Sequence, residues 1–583
     1  MSGPADPSRS EPTRLMCAGA YLDRGFRRAV IAELVERPER AVAPSLGFDA
    51  VPVLRHCLHA RRLETEAGGR LVLLWLAWPL TALLAGLLVE LLSGEEGGEI
   101  TMGALVTTLL FMAGFAVLCL IGTAQRRVAG SPTGFYLADQ DKQRLRSGGR
   151  AWPGLAFTAV VWTMSAVLWP ALLGMVWFYG WETGGPALAA VLLLVCGAWP
   201  ALIAGVVQRH RSRVDGILLT DLTPSGFTGA GPEVHPGYEP LLRAIAAEQY
   251  SSVVLYAPEA PFRGAGEPRS PWLLALELRP EPGSGAERRL TGRRLVDVIR
   301  KRVEALTERA DEESRDRLTG LEVREQVFLP GPLPYGSTRE QLPTGPEDRD
   351  PARRHVAAAV QEGGEQRRHF LRLRVGGWEE EVVTTVYVRA HCQGRMLLLE
   401  VAPHVLAPIA DRFQRVDALP AWVAARGPFG RACTAVLLAP AASLMAVAAL
   451  LSTAASGIRV HFAAREASRV EPPRTSLREL AADKGRISLF QDMDVARYTQ
   501  TLHDRIGSAV RRSLVDAGYQ SDEFQRHIVN IGAGGVFVGG SVSGGAIASG
   551  EGARAESGDG KSRADRDRSR PRGAESADTG EKA

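Results

Sequence analysis

Four long apolar runs lie between Leu71 and Val207, and a chain carrying them has few places to put them. Leu71 to Leu92 is 22 residues whose only ionisable member is Glu90, near its end. At about 1.5 Å per residue this run spans about 33 Å, matching a bilayer hydrocarbon core of about 30 Å. Ile100 to Ala124, Leu155 to Tyr179 and Pro186 to Val207 follow, each without Asp, Glu, Lys or Arg. A soluble helix of that length would carry a polar stripe. These four runs therefore read as membrane spans, forming one domain over 71–207.

The loops between them predict an orientation. Arg55, Arg61, Arg62 and Arg70 precede the first span, and Arg126, Arg127, Lys142, Arg144, Arg146 and Arg150 lie between the second and third. Arg209, Arg211 and Arg213 follow the fourth. The other two loops, Ser93 to Glu99 and Gly180 to Gly185, hold no basic residue. This alternation predicts a cytoplasmic amino terminus. Trp177, Tyr179 and Trp181 then mark the outer interface, where aromatic rings collect.

A fifth uncharged run, Ala432 to Ala455 with Pro440 inside it, reads as one more crossing over 432–455. Its flanks leave the direction open: Arg412, Arg415, Arg426 and Arg431 stand before it, and Arg459, Arg465, Arg469 and Arg474 after it. One full crossing would put everything beyond Ala455 outside. A hairpin or re-entrant segment is the alternative, and the side of 459–583 stays open.

The expected fold is thus an α-helical membrane bundle, four N-terminal spans plus the fifth. It carries a cytoplasmic α+β domain and a C-terminal helix followed by a glycine-rich segment. Residues 1–13 read as disordered. Residues 14–70 form a cytoplasmic helical segment, with Leu22, Phe26, Val30 and Leu34 on one face. Pro38 ends that helix, and a second, around Val53 to Leu63, leads into the membrane.

The block 214–420 supplies strand-like Val253 to Tyr256 and Trp272 to Leu278, and a helix striped by Leu295, Ile299, Val303 and Leu306. Leu371, Leu373 and Val375 alternate with Arg372 and Arg374, the pattern of a half-buried strand. Gly376-Gly377 reads as a turn, Val382 to Cys392 as the next strand, Gln393-Gly394 as another turn, and Met396 to Val401 as the last strand. The proline-rich stretch from Pro330 to Pro351 reads as an extended loop.

In 459–550, Val495, Tyr498, Leu502, Ile506, Val510 and Leu514 define an amphipathic helix closed by Gly518. Glycine pairs at 534–535, 539–540 and 544–545 then separate three short triplets. These are either minimal strands joined by tight turns or a flexible linker. The charged, Ser- and Gly-rich remainder, 551–583, reads as a disordered tail.

Composition narrows the function classes. The 583 residues carry a formal charge of +4, too little for a length like this to argue for nucleic acid. Six scattered cysteines do not make a disulfide framework. Only five lysines among 69 basic residues, with abundant Ala and Gly, fit a GC-rich bacterial genome. The first 15 residues lack an apolar h-region, so no cleaved signal peptide is expected.

No catalytic, cofactor-binding or metal residue is nominated, and no cofactor is expected. His56, Cys57 and His59 have no second ligand pair to complete a zinc site and read as a solvated helix face. Gly560-Lys561-Ser562 lacks the first glycine of a phosphate-binding loop, with Ala555 in its place, and the glycine pairs miss the dinucleotide fingerprint at Phe537. The basic cluster Arg293, Arg294, Arg300, Lys301 and Arg302 is followed at once by Glu304, Glu308, Asp311, Glu312 and Glu313, and reads as a mixed solvated surface. Ala82 and Gly86, four apart, read as a close helix contact.

Two stretches carry a family resemblance. One is Trp378 to Val388 with Gln393-Gly394-Arg395. The other runs from Asp494 through the helix to Gly540 and on from Ala546 to Ala553. Together they resemble uncharacterised multi-pass membrane proteins of actinobacteria. The resemblance implies a bacterial plasma membrane and carries no assigned reaction, ligand or site. A membrane-anchored sensing, scaffolding or assembly role follows as the expectation, with the bilayer as one partner. Self-association or a protein partner would act through the cytoplasmic domain or the glycine-rich tail. The alternative is a channel or transporter built from the four-span bundle; an enzyme has no motif behind it.

Overall fold

The computed structural model describes residues 6–94, 98–128, 152–282, 290–307, 318, 320–333, 350–361, 367–425, 427–466 and 469–524. Twelve helices and seven strands follow in chain order among them. The amino-terminal half gives α1 (Glu11–Leu22), α2 (Arg24–Leu34), α3 (Ala50–Ser93), α4 (Glu99–Val128), α5 (Trp152–Thr220) and α6 (Glu239–Glu248). Next come β1 (Val253–Tyr256), β2 (Glu267–Pro268), β3 (Trp272–Glu277), α7 (Gly292–Glu304), β4 (Leu321–Pro330) and α8 (Asp350–Gln361). The remainder is β5 (Arg368–Gly377), β6 (Val382–Gln393), β7 (Met396–Leu406), α9 (Asp411–Ala425), α10 (Gly427–Glu466), α11 (Leu477–Ala481) and α12 (Leu489–Asp516).

Four described stretches are long and apolar enough to cross a membrane: Ala50–Ser93, Glu99–Val117, Pro170–Thr220 and Met445–Phe462. α5 holds the third and fourth apolar runs as two arms that fold back at Gly184-Gly185. Gly185 has φ 71°, a left-handed conformation that favours glycine. Inside the bundle, Trp78 is fully buried, with Phe111, Phe115 and Trp199 at ring distances of 5.8, 5.9 and 6.1 Å. The Trp199 indole N–H donates to the Thr81 hydroxyl at 3.2 Å.

Leu73, Leu76, Leu80, Leu84, Leu87 and Leu91 face outward, an apolar belt that water would not tolerate at this density. Gly86 lets α3 and α4 approach closely, since a Cβ there would lie 2.7 Å from Thr101 Cα. Glu90 does not project away from the bundle. Its carboxylate accepts from the Gly98 N–H and the Thr101 hydroxyl at the start of α4, where a helix end favours negative charge.

The seven-stranded sheet runs β1-β4-β5-β6-β7-β2, with β3 also paired to β7. β1 and β4 are parallel, and the remaining pairs are antiparallel. One face places Leu371, Leu373, Val375, Val386 and Val388 against Leu295, Ile299 and Val303 of α7 and Leu502, Ile506, Val510 and Leu514 of α12. The opposite face is covered too. Phe328, Phe370 and Tyr387 pack there with Leu46 and Phe262. Arg372 and Arg374, which alternation alone would leave in solvent, are therefore buried.

α1, α2, α9, α11, the first turns of α3 and the last turns of α5 share a second soluble core around Phe26, Leu54, Leu218 and Phe413. The sheet thus recruits chain from three separate stretches: the amino-terminal segment, the central block and the region after 469. One reading of local structure changes, and one strand is added to it. The turn between β5 and β6 is Trp378–Glu381, because Gly376 and Gly377 still pair with Val383 and Val382. The segment before the proline-rich stretch is a ten-residue strand, β4. The glycine pairs and the tail lie outside the described residues.

Candidate functional site

Trp378, Glu379 and Glu380 have φ values of 53°, 55° and 71°. A left-handed residue with a side chain costs about 1–2 kcal/mol, so three in a row persist only where the surroundings hold them. The ties are on every side. The Glu380 carboxylate pairs with Arg374 on β5. The Trp378 indole N–H donates to Asp494 of α12 at 3.1 Å. The Glu381 carboxylate accepts from Gln414 of α9 at 3.3 Å and from Gln491 of α12 at 3.2 Å. Its carbonyl accepts from Arg478 of α11 at 2.8 Å.

Local sequence explains why these partners arrive. Ser488 and Gln491 form a reciprocal capping box that starts α12. That box holds the Gln491 amide in place, leaving its NH2 free to reach Glu381. Arg478 is wholly buried, and its Nε and Nη1 have no partner among the described residues. Burial pulls its pKa down to about 10, against the opposing pull of Glu380 and Glu381. The turn is a joint where β5, β6, α9, α11 and α12 meet.

A second polar cluster lies along β4 and β5. Glu325 accepts from Arg293 at 2.9 Å and His369 at 2.8 Å, and pairs with Arg300. Burial by itself would raise the Glu325 carboxyl. The hydrogen bond and charge of His369, with the Arg300 and Arg293 guanidiniums, hold it down at about 2. Across the sheet, Glu322 faces Arg324, Arg372 and Arg374. Tyr250, Ser251, Ser252, Arg324, Glu325, Gln326 and Arg372 line a small open depression between the two groups.

A carboxylate held near 2 and already engaged by two guanidiniums and the His369 ring is a poor general base at neutral pH. Two members of the expected solvated basic cluster, Arg293 and Arg300, pair with the buried Glu325 while their side chains stay 42% and 22% exposed. The signal for this was Glu325 itself, an acid interrupting the apolar face of Leu321 and Val323.

His56, Cys57 and His59 do not converge on one point. Nor do His56 and Cys57 form a solvated face: the His56 ring is buried against the Tyr21 hydroxyl at 3.0 Å, and Cys57 lies in the core beside α1. Among the described residues, no group of three His, Cys, Asp or Glu side chains is placed to hold a metal ion.

Residues 271–544, a little under half of the chain, match the AbeC-like domain family. The match takes in the strained turn, the Glu325 cluster and α12, and it contains the Trp378–Arg395 stretch and most of Asp494–Ala553. The four runs between Leu71 and Val207 lie outside it. No curated protein and no solved structure matches the chain.

Proposed function

We propose that this chain is a multi-pass bacterial plasma-membrane protein, amino terminus cytoplasmic, whose bundle anchors a soluble body that serves as a scaffold for assembly. The observation that carries the reading is the joint between body and bundle. α3 runs for 44 residues from the soluble core into the apolar belt as one helix. The soluble body grips its part before the apolar run: Arg24 and Arg27 reach Glu64 at 2.8 and 2.6 Å, and Arg61 bonds Ser456 and Tyr238 at 3.1 and 3.0 Å. Such a stalk would transmit position and orientation from the membrane to the sheet.

The orientation rests on the arginine-rich ends on one side of the bundle. Partners would be a protein or a second copy of the chain, engaged through the soluble body or the glycine-rich tail. The aromatic filling of the bundle supports anchoring over solute passage, since a channel or transporter needs a polar path between its spans.

Purified chain reconstituted in liposomes and cross-linking of the chain in its native membrane test this together. The reading expects ion leakage no faster than from empty vesicles, and a discrete cross-linked complex, either self-associated or with a defined partner. Selective flux through the vesicles, with no complex in cells or detergent, would overturn it.

A further inference from the structure

We infer that α10 does not cross the bilayer: it is a helical hairpin whose tip enters only the leaflet nearest the soluble body. Residues 469–524 then lie on the same side of the membrane as residues 214–410, whichever compartment that is.

The first ground is the sheet itself. Leu502, Ile506, Val510 and Leu514 of α12 share one core with β5, β6 and α7. Backbone bridges join Ile409 to Ala482 and Pro280 to Tyr519. A core folded from both stretches cannot straddle a bilayer. The connecting segment, α9 and α10, therefore crosses an even number of times, and its 24-residue apolar run is long enough for one crossing only.

The second ground is where the ends of α10 lie. Val423, just before it, and Val460, near its end, both pack against the same soluble core. A straight helix from 427 to 460 would hold those ends about 50 Å apart. Its second arm runs antiparallel to α3: Ala446 and Leu450 lie beside Gly68, Ser456 bonds Arg61 at 3.1 Å, and Arg459 bonds Glu36 at 2.7 Å. Heading back from Ser456 toward 427, the chain must therefore reverse between 427 and 445. Pro440 lies in that interval, where its missing N–H weakens a continuous helix.

Depth follows from the contacts. Ala442 and Ala446 pack on the bundle core that begins at Leu71, and Ala446 lies beside Gly68, one turn before it. Half of a 24-residue run spans about 18 Å, too little to reach the far side of a hydrocarbon core of about 30 Å. Val447 and Leu451 point away from the protein, 46% and 66% exposed. Their partner is the lipid of the near leaflet, continuous with the belt around the spans.

The test uses the full chain in native membranes with three epitope tags in separate constructions: inserted after Gly97, inserted after Gly285, and appended after Ala583. Each is exposed to protease in right-side-out and in inverted vesicles. The inference expects the tags at 285 and 583 to be lost from one vesicle orientation and the tag at 97 from the other. Loss of the 583 tag together with the 97 tag would overturn it. A photoreactive phenylalanine analogue at Leu451 gives a second measurement that needs no inserted loop. Lipid adducts there, absent when the same probe replaces Val515 on α12, agree with the hairpin; adducts to protein alone contradict it.

Discussion

Glu325 shows how a single acid organises one end of the sheet. Its folded-state pKa of about 2 lies below the ordinary carboxylate value of 4.5. The stabilisation from its charge is therefore fully present above about pH 4.5 and is lost as pH falls through about 2. The gap corresponds to about 3 kcal/mol. Glu325→Gln should accordingly lower the unfolding midpoint of the detergent-solubilised chain at pH 7, with the deficit shrinking between pH 4.5 and 2. A deficit independent of pH in that window would reject the ion-pair account. Glu379 tests the strain in the Trp378–Glu381 turn. Glu379→Gly exchanges a left-handed residue for one that adopts φ 55° freely, offset in part by glycine's greater unfolded-state entropy. The expected result is a gain of about 0.5 kcal/mol in denaturant titration.

At the level of elements, α12 and β5 show what was legible and what was not. The period of Val495, Leu502, Ile506 and Leu514 marked the helix and its buried face, because that signal lies within one element. Nothing local said that the face docks on β5 and β6, more than a hundred residues earlier. The strand pattern of Leu371, Leu373 and Val375 was equally plain, yet the burial of Arg372 and Arg374 depended on the distant Leu46 segment. β4 escaped notice because Glu325 interrupts its alternation and prolines follow at once. The turn at Trp378–Glu381 was hidden because glycines stand just before it while non-glycine residues take the left-handed positions. The docking of α12 is directly testable. Leu502 is fully buried in the sheet core, so Leu502→Ala should cost about 3 kcal/mol and lower the sheet's unfolding midpoint with it. Loss of helix signal alone, with the sheet unaffected, would separate the two.

For the whole molecule, the long apolar runs were the most legible feature, since lipid imposes a length and a charge exclusion that no soluble core requires. Three stretches of chain then build one soluble body on one side of the bundle, an arrangement that reading the chain in order could not reveal. The candidate joint at Trp378–Glu381 depends on that assembly, and no motif announced it. All of this requires a bilayer around the leucine-covered surface of α3, α4 and α5. Washing isolated membranes at pH 11 and sedimenting them measures it most directly. The chain should stay in the pellet and leave only with detergent; full release into the aqueous supernatant as a monodisperse protein would contradict the account.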